Sequence, residues 1–147
     1  MKRTIAALSI ALIAASIALS YDHISFPLSK VVETPITKAA IANAPKWDDS
    51  RENPPVSARS AIRIATKERD RIDALLNYDR KVWSWKLKAV SLKPFETGGW
   101  YWLVQFEQFG PDIAGMVPFL HIPVLMDGEP AVDKVRDGTS ADFMSGP

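Results

Sequence analysis

The chain has 147 residues, 47% of them hydrophobic and 24% charged, a globular composition at a length that suits one domain with extensions. A formal net charge of +1 leaves no basic field to hold nucleic acid. The absence of cysteine excludes disulfides, thiol catalysis and thiolate metal sites, so packing alone must hold the fold.

The first segment, "MKRTIAALSIALIAASIALS", has a basic start at Lys2 and Arg3 and an uncharged apolar run from Ile5 to Leu19. Ala18 and Ser20 are the small residues that a signal peptidase reads before a cut at Tyr21. Residues 1–20 are therefore expected to be a secretory signal peptide. The alternative is an uncleaved anchor, since the run is about the shortest that spans a bilayer. Either reading exports the folded part, as a periplasmic, secreted or outer-side tethered protein. Membrane contact is expected only if the leader stays.

Residues 21–55 hold Pro27, Pro35, Pro45, Pro54 and Pro55, and their apolar residues follow no sustained period. Proline removes a backbone donor and fixes φ, so the expectation is an extended stalk. Within it, Ile36 to Ala44 suits two turns of helix, and "WDDSRENPP" reads as a polar linker.

Ser57, just after two prolines, is a natural helix N-cap. Beyond it Ala58, Ala61, Ile62, Ala65, Ile72, Leu75 and Leu76 recur at the spacing of one helical face, with a gap at Glu68 and Arg69. Three strands should follow. In "WSWKLKAVSL" the alternation of Trp83, Trp85 and Leu87 slips phase before Val90, which predicts a bulge near Ala89. "PFETGG" predicts a hairpin loop into "WYWLVQFE". "FLHIPVLM" carries Pro123, which cannot donate to a ladder and belongs at a sheet edge. Asp127-Gly128 predicts a tight turn, with "EPAV" returning as a short fourth strand. Residues 133–147 show no period and are expected to be a disordered tail.

The predicted fold is α+β over residues 56–132: one N-terminal helix on one face of a three- to four-stranded antiparallel sheet. Trp100, Trp102, Val104 and Phe106 should face the helix as core. Tyr101, Leu103, Gln105, Glu107 and His121 fall on the other face with Lys86, Lys88 and Phe119. That mixed face is the candidate binding surface, unless the stalk folds over it. If it is open, Tyr101→Ala should leave stability unchanged, whereas Trp102→Ala should unfold the domain.

The segments "VSARSAIRIA", Val56 to Ala65, and "WYWLVQFE" resemble the helix opening and central strand of the PepSY and cystatin-like group of small secreted modules. The resemblance covers about residues 54–132. It departs at Met126-Asp127-Gly128-Glu129, where such modules usually carry an Asp-x-x-Thr-Gly-Glu turn. As a whole the chain resembles short signal-bearing bacterial proteins with one such domain. The resemblance implies protein binding or peptidase regulation, and it carries over no catalytic residue.

Chemistry-bearing motifs are sparse. His23 and His121 have no second ligand at metal spacing, so no metal is expected. There is no Gly-x-Ser-x-Gly and no phosphate loop, so neither an enzyme activity nor a cofactor is expected. In "RKVWSWKLK" the lysines and tryptophans point to opposite faces of a strand and cannot share a nucleic-acid ligand. The first functional expectation is a non-catalytic module that binds a protein or peptide. The alternative is a small enzyme or ligand carrier, with Glu107 or His121 inside a pocket.

Overall fold

In a computed structural model of the chain, the described residues are 21–28, 30–48, 50–76, 78–111, 117–131 and 134–144, with Tyr21, Asp22, Phe143 and Met144 described by backbone alone. The leader lies outside the described residues. Nine elements follow in order: β1 (Tyr21–Ser25), β2 (Lys30–Ile36), α1 (Lys38–Asn43), α2 (Ala58–Asp73), β3 (Ser84–Pro94), β4 (Trp100–Phe109), β5 (Phe119–Leu125), β6 (Lys134–Asp137) and α3 (Ser140–Met144). None of the described helices is long and apolar enough to cross a membrane.

The strands form two antiparallel sheets, β1-β2-β6 and β3-β4-β5. This overturns the expectation of one helix on a single sheet. The helix does lie across one face of β3-β4-β5, but the other face is covered by a second sheet built from segments read as stalk and tail. The reason is compatible proline placement. Pro35 pairs beside Asp22 of β1, at the end of β2 that extends past β6, which reaches only Lys30 to Glu33. Pro27 sits in the turn between β1 and β2, where Lys30 N–H donates to its carbonyl at 3.1 Å. Neither proline interrupts a two-sided ladder.

Local signals place the middle of the chain as read. Ser57 has extended backbone and its hydroxyl accepts from Ser60 N–H at 3.2 Å, capping α2. Thr37 caps α1 in the same way, accepting from Ala40 N–H. The β3–β4 register slips between Leu87 and Ala89, which is the predicted bulge. Gly98 and Gly99 hold φ of 83° and 102° in the hairpin, and Gly128 holds 87° in the turn after β5. β5 is an edge strand, as Pro123 requires. The return after the turn is a single bridge between Val124 and Pro130, not a strand within the described residues.

The core has three layers. On the helix side Ala61, Ala65 and Ile72 are buried against Val104, Phe106, Leu120, Ile122 and Val124. Trp102 is half-buried and its indole N–H donates to Val56 carbonyl at 2.7 Å, tying the helix entry to β4. Two members of the expected face differ. Ile62 is only half-buried, and Leu75 is 54% exposed because the helix closes at Ala74 and the tightened exit rotates Leu75 out and Leu76 in. On the far side of β4, Val32 and Ile36 of β2 and Val135 of β6 pack into the same core as Tyr101, Leu103 and Leu125.

Candidate functional site

The five candidate residues come from two strands whose register aligns them. Tyr101 stands opposite Leu125, Leu103 opposite Pro123, Gln105 opposite His121 and Glu107 opposite Phe119. Alternation puts all of them on one face of β4-β5, as expected. The face is not open along its length, and its two ends have different fates.

At one end Tyr101 and Leu103 are core, 4% and 6% exposed. The Tyr101 ring stacks on Phe95 at 4.5 Å between centroids, and its hydroxyl bonds His23 Nε2 at 3.1 Å. The open-surface reading of these two residues is corrected by β1 and β2 lying over them. β1 belongs to the segment with no readable period, which is why the cover was not visible in sequence.

At the other end the cover stops. Gln105, Glu107 and His121 line a cleft of about 260 Å³ together with Lys88, Val117 and Phe119. Lys88, raised at the bulge, makes an ion pair with Glu107 at the rim. Gln105 Nε2 lies 3.2 Å from His121 Nε2. With the amide donating, His121 Nε2 accepts and its proton resides on Nδ1. The backbone N–H of His121 faces out from the sheet edge and donates to Ser25 Oγ of β1 at 2.8 Å. His23 and His121 meet edge to face at 6.5 Å between ring centroids, and Phe26 meets Phe119 the same way at 5.8 Å.

Burial holds His121 neutral, and the neighbouring His23 and Lys88 reinforce it, so its pKa falls from 6.5 to about 4. An imidazole this weak is a poor general base at neutral pH, but it is a good fixed hydrogen-bonding group. Glu107 is tied to Lys88. The arrangement is therefore suited to holding polar groups by hydrogen bonds, not to moving protons. Among the described residues, no three His, Asp or Glu side chains converge as metal ligands.

Two contributors escaped the sequence reading. Val117 lies beyond the strand read as "WYWLVQFE", and His23 was assigned to the stalk. Lys88 and Phe119 were placed on the correct face by alternation alone. Lys86, on the same face as Glu107, lies over the Phe109 ring at 4.5 Å, while Trp85 points to the helix side, so the lysines and tryptophans are separated as expected. No known protein family, characterised protein or solved structure matches the chain.

Proposed function

We propose that this is an exported, non-catalytic binding module that holds a protein or peptide segment in the cleft beside His121. The observation that carries the reading is the pairing of Gln105 and the neutral His121 with the apolar wall of Val117 and Phe119. A carboxamide offers one acceptor and one further donor beyond its bond to His121, which matches the donor and acceptor of a peptide bond. The cleft is slightly smaller than the roughly 300–1,000 Å³ typical of cofactor and drug-sized sites, so it suits one or two side chains of a longer ligand. Export rests on the leader. The form suggested by the PepSY resemblance, regulation of a peptidase, draws support from the order α2, β3, β4, β5.

The test is selection of peptides from a random display library on the purified protein, followed by titration of the selected sequences. Gln105→Ala should weaken binding at least tenfold with an unchanged melting temperature. Equal binding by Gln105→Ala and by Lys88→Glu would remove the cleft from consideration. The second reading is a small-ligand carrier or enzyme, favoured by Glu107 and His121 lining one cavity. A thermal shift with small amides or carboxylates, in the absence of any peptide binding, would move the assignment there.

A further inference from the structure

We propose that the contact between β1 and β5 is an acid-sensitive latch: protonation of His121 beside His23 releases β1, enlarging the cleft and freeing the Tyr101 hydroxyl. The proposal rests on the reading of the Gln105–His121 cleft as a binding site, and it supplies that site's regulation.

The geometry is that of a weakly anchored strand on two imidazoles. Among the described residues β1 is the edge of its sheet and pairs with β2 alone. Ile24 at its centre is 48% exposed and adds little apolar burial to the layer. Its links across the layer include Ser25 to His121 N–H, His23 to Tyr101 hydroxyl and Phe26 to Phe119. Strands held by a few polar and ring contacts open before a core does.

The imidazole of His121 is set for the neutral state. His121 Nε2 accepts from Gln105, and a proton there would place two donors face to face until the amide turned over. Two charged rings would stand 6.5 Å apart between centroids in a partly desolvated layer. The groups around His121 do not offset this. β1 presents His23, β3 presents Lys88, and β4 presents neutral Gln105 and Tyr101 together with Glu107, which is already paired to Lys88. Phe119 is the ring beside it on β5 itself, and Glu33 of β2 is turned to Arg136. No carboxylate hydrogen-bonds His121 among the described residues.

The sign follows from linkage. The pKa of His121 is depressed from 6.5 to about 4 in the closed state, so the released strand binds more protons within that interval. The latch is at full strength above pH 6.5 and is lost as pH falls toward 4.

Residue-resolved amide exchange on the full protein, pulse-labelled after equilibration between pH 7.5 and 4, tests it. Opening of β1 should rise by up to about tenfold per pH unit for one linked proton below pH 6.5, while α2 and β4 amides stay protected. His121→Gln should flatten most of that rise, and His23→Gln should reduce it. Loss of β1 and β4 protection in one step, or a rise unchanged in both variants, would overturn the latch. The two readings fail separately. Acid opening with no selected peptide supports the latch and sinks the binding module. Peptide binding with no acid opening does the reverse.

Discussion

Gln108 is fully buried on β4, and neither its amide nitrogen nor its amide oxygen has a hydrogen-bond partner among the described residues. Its backbone N–H is satisfied by Pro118 carbonyl at 2.8 Å, so the deficit is confined to the side chain. A buried amide stripped of water and left unpaired costs about 1–3 kcal/mol. Gln108→Leu, close in volume, should therefore raise stability by about that amount in urea denaturation. A loss of stability instead would mean that the amide has a partner in solution. The strand read from the sequence, "WYWLVQFE", ends at Glu107, so position 108 fell outside it. Only the register against Trp85 shows it to be inside. Gly110 makes the same point. A Cβ added there would stand 2.4 Å from the Trp83 ring, an approach that needs glycine and that no turn signal announces.

The gap in the apolar stripe of α2 is explained at the scale of the element. Arg69, where the stripe fails, lies over the Phe106 ring at 5.0 Å and bonds Asp70, so its stem and guanidinium close the helix–sheet interface. The end of the same helix is fastened by one carboxylate. Asp73 accepts from Trp85 indole N–H at 2.7 Å and from Tyr78 hydroxyl, and Arg80 neutralises it at 3.2 Å. A carboxylate at a helix C-terminus opposes the helix dipole, and Arg80 offsets that. Asp73→Ala leaves the Trp85 and Tyr78 donors unpaired and should cost about 2–3 kcal/mol, read by melting, with a shift in tryptophan emission. An unchanged melting temperature would show the knot to be a surface ornament. The helix, its cap, the bulge and the hairpin were legible because each depends on residues within one or two turns of chain. The knot was not, since Asp73 and Trp85 are brought together by the exit of α2 and not by a period.

For the whole molecule the second sheet is decisive. β2 pairs with β1 before it and with β6 from the far end of the chain, so both ends of the described sequence close over the face of β4. Tyr101 is thereby buried, and the expectation for its substitution reverses. Tyr101→Ala should cost about 3–5 kcal/mol, as for other buried aromatics, where an open face predicted no change. Chemical denaturation checks this directly, and a variant as stable as the parent would mean that β1 and β2 do not cover the sheet in solution. The charged exterior of the second sheet is arranged around Arg136, which bonds Glu33 and Asp142. The bond from Arg136, with those from Thr139, holds the Asp142 carboxyl well below the usual range, although the exposure of the group leaves the pair open to screening.

By itself the sequence determined the elements whose signals are local: the Ser57 cap, the amphipathic α2, the Ala89 bulge, the glycine hairpin, the edge position of Pro123 and the alternation that set Gln105, Glu107 and His121 on one face. Local propensity and period two or 3.6 suffice for these. The tertiary structure alone decided which part of that face stays exposed. Strands of four to seven residues, one of them carrying Pro35 and all of them rich in polar residues, carry too little periodicity to be read. They become strands because pairing between residues about a hundred positions apart buries Val32 and Ile36 against Tyr101 and Leu103, a contribution that exists only once the sheets meet.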